Sequence, residues 1–241
     1  MNVDDFKDVV IPEGDMLELI FNHQRDLLDK YHLIEEELVG HPIPSAPYTQ
    51  KGVEDLPRHW FYAGPLQIQD RASQLRFKSF AWRITEELTE ATLSLGEEND
   101  THYLEELIDA LHFSVELLIM AGLFPCPDQK RIGDPAGDRL KVAFSCSHEA
   151  SEQRQLYTNH DLKVMTYWVI EKLGEAMNRC KLKEWKRTAM QTDERAFHQS
   201  LSEFFAKLID LLKASGFTAE TCTKMYMSKN LVNKFRIGSG Y

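Results

Sequence analysis

Apolar residues in this 241-residue chain recur at spacings of three and four and show no convincing alternation at two. A chain patterned that way buries its apolar side chains as helices packed on helices. The pattern predicts helices over residues 15–38, 66–95, 101–123, 160–186, 194–215 and 218–235. Gly40 and the prolines of 41–47 close the first, and Gly96 closes the second. Thr101 is the expected N-cap of the third, which ends near Gly122. Residues 125–152 hold Pro125, Pro127, Gly133, Pro135 and Gly137 with little periodicity. The expectation is an all-α helical bundle forming a single domain over 1–241. A proline-rich loop at 41–60 and an irregular insertion at about 125–157 interrupt it.

One internal echo organises that bundle. Thr85-Glu86-Glu87-Leu88-Thr89-Glu90-Ala91 is similar to Ile170-Glu171-Lys172-Leu173-Gly174-Glu175-Ala176. Each stretch precedes a long apolar helix, ending in Ala121-Gly122-Leu123-Phe124 or in Ala214-Ser215-Gly216-Phe217. The chain reads as a duplicated two-helix unit. Aligning Leu88 with Leu173 sets Lys172 opposite Glu87 and Glu175 opposite Glu90. Aligning Gly122 with Gly216 sets Ser200 opposite Glu106 and Glu203 opposite Asp109. A lysine at a ligand position excludes a divalent cation, so only the first unit keeps a site.

Bulk properties narrow the partners. Lys and Arg number 28 against 38 Asp and Glu, a net charge of -10. Such a surface repels duplex DNA and anionic lipid. No apolar run approaches the ~20 residues of a membrane span, and the acidic N-terminus is not a signal peptide. Cys126, Cys146, Cys180 and Cys222 are scattered without CxxC pairing, as reduced thiols would be. The reading is a soluble, cytoplasmic protein that binds neither nucleic acid nor membrane.

The chemistry concentrates in carboxylates. Glu87 and Glu90 stand three apart on the second helix, and Glu106 and Asp109 repeat the spacing on the third, which puts each pair on one helix face. Taken alone, such pairs usually face solvent. The third helix argues otherwise, because Leu104, Leu107, Ile108, Leu111, Phe113, Val115 and Leu117–Met120 make it apolar on nearly every side. A helix like that is buried all round, and Asp is seldom buried without a partner. A hard divalent cation such as Mg2+, which takes oxygen ligands, is the economical partner. On the last helix Tyr226, Lys229, Asn230, Asn233 and Arg236 recur at three and four. That face is a candidate triphosphate clamp, since Arg binds phosphate bidentately and Lys as a point charge.

Taken in order, Glu87-x-x-Glu90, Glu106-x-x-Asp109-Ala-Leu-His112-Phe113 and Tyr226-x-x-Lys229-Asn230-x-x-Asn233-x-x-Arg236, with a closing Gly240-Tyr241, resemble the dimeric all-α dUTPases and phage dCTP/dUTP pyrophosphatases, within the all-α NTP pyrophosphatases that include MazG-type enzymes. The resemblance runs from about residue 16 to 241. It implies that Glu87, Glu90, Glu106 and Asp109 hold Mg2+ against a triphosphate, with Glu87 nearest the attacking water. Lys229, Asn233 and Arg236 would grip the distal phosphates, with Tyr226 and Asn230 alongside, and Gln24 and His112 would lie near the base and nucleoside. The implied reaction converts dUTP to the monophosphate and pyrophosphate in a homodimer. Leu27 and Leu28 stand where the dUTPases carry an Asn, and the family's Trp- and Lys-rich segment after the first carboxylate pair is replaced by Leu93-Ser94-Leu95-Gly96-Glu97. These departures leave dCTP or a broader dNTP range as alternatives.

Two further readings compete. His160-Asp161 is the dipeptide of HD-type phosphohydrolases, but Asn159-His160-Asp161 reads equally as a helix cap. A non-enzymatic helical interaction protein is the other.

Overall fold

A computed structural model describes residues 9–39, 66–96, 101–123, 139–144, 154–183 and 190–238. The loop at 41–60, most of the 125–157 insertion, Cys126, Cys146, residues 184–186 and Gly240-Tyr241 lie outside them. The described residues are helical and contain no strand. In chain order the helices are α1 (Met16–Val39), α2 (Arg71–Ser94), α3 (Thr101–Met120), α4 (Arg139–Phe144), α5 (Asn159–Arg179), α6 (Glu194–Ala214) and α7 (Ala219–Gly238).

The central helix is α3, which packs against α1, α2, α6 and α7. That position accounts for its composition. Tyr103, Leu107, Ile108, Ala110, Leu111, Val115, Leu117, Leu118, Ile119 and Met120 are all buried, so no side of the helix is left for charge except where a charge has work. The tightest pairings are α2 with α3 and α5 with α6, the two hairpins that the sequence echo marks. Their second helices end alike. Gly122 donates to Ile119 O and Leu123 to Leu118 O, while Gly216 donates to Lys213 O and Phe217 to Leu212 O. Both are Schellman closures, and both need the positive φ that Gly122 (76°) and Gly216 (94°) supply without a Cβ clash.

Several boundaries differ from expectation. α2 begins at Arg71 rather than 66, because the Asp70 carboxylate accepts from Ser73 N at 2.9 Å and caps the helix there. Thr101 lies inside α3 rather than capping it. α5 stops at Arg179. Beyond it the Gln74 amide oxygen accepts from Leu182 N at 2.9 Å and draws the backbone out of the helix. The insertion is not wholly irregular, since α4 buries Leu140 and Phe144 one turn apart in the common core. Cys180 and Cys222 are buried free thiols. Burial pushes them up to about 11 and 12, which leaves them unreactive near neutral pH. No described helix is long and apolar enough to cross a membrane.

Candidate active site

The buried stripe of α2 runs through Phe77, Phe80, Ala81, Ile84, Leu88 and Ala91. Glu87 sits at the edge of that stripe and is half-buried. Three residues advance a helix about 300°, so Glu90 lies about 60° further from the core than Glu87, and it is exposed. α3 brings Glu106 and Asp109 to the same edge. One oxygen from each of Glu87, Glu106 and Asp109 lies within 4.8 Å of the others. Three of the four expected carboxylates therefore converge, and Glu90 stays outside the cluster, near enough for its charge to act on Glu87.

The cluster holds more negative charge than the single ammonium of Lys229 offsets. Burial first, then the hydrogen bond with Glu106 and the charges of Asp109, Glu106 and Glu90, push the Glu87 carboxyl up to about 8. Burial likewise raises Asp109 to about 6, against the opposing pull of Lys229. Lys229 Nζ is 2.6 Å from Asp109 Oδ2, and His102 Nε2 is 2.8 Å from Glu106 Oε1. The donor set is all oxygen, crowded and proton-hungry. That is the chemistry a hard divalent cation satisfies, and these three residues fit one. Lys229 carries the second finding. The face of α7 that holds the basic stripe meets the carboxylates directly.

The stripe itself divides. Arg236 is exposed and Asn233 partly so, whereas Tyr226 and Asn230 are fully buried. Tyr226 OH donates to Gln24 Oε1, and Asn230 Nδ2 donates to His23 O at 3.3 Å, so these two side chains fasten α7 to α1. Gln24 is itself wholly buried and donates through Nε2 to Glu116 Oε1 at 2.5 Å. His112, one turn beyond Asp109, is buried with its ring centroid 3.8 Å from that of Tyr226. Neither His112 nitrogen has a hydrogen-bond partner. Burial, with a smaller push from Lys229, lowers the imidazole to about 3, so it is neutral.

Glu116 is the residue that sequence reasoning missed. Like Asp109 it is an acid in a helix apolar on nearly every side, and seven residues later it is buried more deeply, only 3% exposed. Gln24 also carried a signal, since it continues the buried line of Ile20, Leu27 and Leu28 on α1.

The second hairpin shows what replaced the ligands. Lys172 Nζ lies 2.8 Å from Glu175 and 3.7 Å from Glu203. The three positions aligned with Glu87, Glu90 and Asp109 thus meet in space, with an ammonium among the carboxylates. His160 is exposed, and Asp161 forms a reciprocal capping box with Thr158. A carboxylate so engaged reads as a cap, which removes the main support for HD-type chemistry.

A protein-family model described as dUTPase matches residues 94–241, more than half of the chain. No curated protein and no solved structure matches it.

Proposed function

The chain belongs to the all-α dUTPase family, a family of deoxynucleoside triphosphate pyrophosphatases, and from that premise we propose that it hydrolyses dUTP to dUMP and pyrophosphate with Mg2+. The observation that carries the proposal is the meeting of the two halves of such a site. The carboxylates of Glu87, Glu106 and Asp109 lie together, and the basic face of α7 reaches them through Lys229. Phosphoryl transfer asks a protein mainly for positioning and charge neutralisation, and these residue types supply both.

In this reading Glu87, Glu106 and Asp109 hold the cation, with Glu90 at the rim of the site. Bound Mg2+ would neutralise the triphosphate oxygens and lower the pKa of a coordinated water. Glu87, which a bound cation would hold ionised, accepts the proton of the attacking water. Lys229, Asn233 and Arg236 take the outer phosphates, where guanidinium and ammonium groups compensate the charge of the leaving pyrophosphate. His112, which burial keeps neutral near pH 7, offers its ring beside Tyr226 to the nucleoside. The family resemblance also carries the proposal of a homodimer.

The test is a panel of the four standard dNTPs, dUTP and dUDP, each with Mg2+, read as pyrophosphate and monophosphate. The expected result is highest kcat/KM on dUTP and loss of turnover in EDTA. Release of no pyrophosphate from any triphosphate would end the reading. Arg236→Ala is expected to raise KM for the triphosphate about tenfold, the loss of roughly one charge-assisted phosphate contact, with kcat changed less. An unaltered KM would remove Arg236 from the clamp.

A further inference from the structure

Asp109, His112 and Glu116 follow one another along one face of α3, so a line of polar groups runs from the carboxylate cluster into the protein. Its inner end is unusual in cost. A carboxylate 3% exposed is expensive to bury, and packing alone would favour Leu or Met in that place. The Glu116 carboxylate accepts from Gln24 Nε2 at 2.5 Å, and the Gln24 Oε1 accepts from Tyr226 OH. A chain of carboxylate, amide and phenol therefore links α3, α1 and α7.

The direction of that chain follows from chemistry. The two ends of a glutamine amide have the same shape and opposite hydrogen-bonding character. Glu116 accepts from the amide nitrogen, which leaves the amide oxygen for the phenol, and an ionised carboxylate, which only accepts, holds the amide that way round. Around this fixed amide are polar atoms that the protein leaves unpaired. Both nitrogens of His112 and the Oδ1 of Asn230 are buried without a partner. Buried polar atoms are rarely left so, and those of His112, one helical turn (~5.4 Å) from Asp109 on α3, and of Asn230, one turn from Tyr226 on α7, point to a ligand that completes them. Gln24, His112 and Asn230 are buried at the α1–α7 contact, so reading a base there requires the Tyr226–Gln24 and Asn230–His23 hydrogen bonds to open.

We propose that Glu116 is a positioning residue that fixes the orientation of the Gln24 amide and thereby makes the site prefer one pyrimidine over the other. This rests on the nucleotide reading above. Uracil presents N3–H and O4 where cytosine presents N3 and an exocyclic amino group. An amide free to turn over serves either edge, and an amide held by an acceptor-only neighbour serves one. Sites built on such fixed hydrogen bonds discriminate far more strongly than apolar pockets, because the wrong partner leaves buried groups unpaired.

The decisive variant is Glu116→Gln, which keeps shape and removes the restriction to accepting. The ratio of kcat/KM on dUTP to that on dCTP is expected to fall about tenfold or more, while kcat on the better substrate changes much less. Glu116→Asp, which keeps an acceptor-only group, is expected to stay closer to the wild-type ratio. A general loosening of the fold would lower kcat on both substrates and leave their ratio alone. An unchanged ratio in Glu116→Gln overturns the proposal, as does an equal collapse of the ratio in Glu116→Asp. Should the wild type release pyrophosphate from no dNTP, the reaction assignment fails separately. Titration of 15N-labelled protein with dUMP and dCMP then decides the positioning role. A wild-type preference that Glu116→Gln loses upholds it, and equal binding of the two by the wild type sinks it.

Discussion

Asp109→Ala is expected to lower kcat for dNTP hydrolysis by about three orders of magnitude or more while leaving the helical circular dichroism spectrum close to that of the wild type. The size follows from what the side chain supplies. Metal-centred stabilisation of developing charge amounts to several kcal/mol, and each 1.36 kcal/mol is about tenfold in rate. Asp109 is the acid where the two halves of the site touch, with Glu87 and Glu106 on one side and Lys229 at 2.6 Å on the other. Its removal deletes an oxygen donor and also frees the Lys229 ammonium beside the proposed phosphate clamp. The fold should survive, because α3 is held by Leu107, Ile108, Leu111 and Val115, whose side chains are completely or almost completely buried. The lost ion pair retains some solvent contact at both partners, and such pairs contribute about 1 kcal/mol or less. Pyrophosphate release and far-ultraviolet dichroism on the same preparation check both halves. Wild-type turnover in Asp109→Ala would dissolve the site assignment, whereas a collapsed spectrum would mean that Asp109 holds the bundle and not the reaction.

How much of this was legible differs from residue to residue. The helices were, because periodicity is a property of the chain alone. So was the special status of Asp109, since a helix apolar all round has no solvated face on which to place an acid. The separation of Glu87 from Glu90 was not. Spacing puts two residues on one face, but only the direction from which α3 approaches decides which of them it covers. The same applies to Gln24 and Tyr226. Each looks like a polar side chain free to meet a ligand, until the packing of α1 on α7 joins them to each other and to Glu116. The start of α2 was readable and was misread: Asp70 stands three residues before Ser73, a capping signal that outranks the apolar residues upstream. α4 had no clear signal, as six residues are too few to display a period.

Glu87→Gln is expected to match Asp109→Ala in lost turnover and to oppose the wild type in stability, which separates a site carboxylate from a structural one. Without metal, the folded protein holds the Glu87 proton more tightly than the unfolded chain does, with its carboxyl raised from 4.5 to about 8. A raised acid contributes stability below the unfolded value, and that contribution is lost as pH climbs through the folded one. The metal-free wild type should therefore melt at progressively lower temperature between pH 5 and pH 8, with Asp109, raised to about 6, adding to the lower part of that fall. Glutamine is neutral throughout and can still donate to Glu106, so the variant should keep more of its Tm at pH 8. At this chain length about 2–4 °C corresponds to 1 kcal/mol, and a difference of at least about 2 °C is the expected scale. Mg2+ competes with protons for the same oxygens. It should raise the wild-type Tm more at pH 8 than at pH 5, and it should raise that of Glu87→Gln little at either. Melting curves in EDTA and in Mg2+ at the two pH values give all four numbers. A variant that melts below the wild type at pH 8 in EDTA, or that gains as much from Mg2+, would show that Glu87 stabilises the helix pair and is not a carboxylate kept in an electrostatically unfavourable place for the sake of a cation.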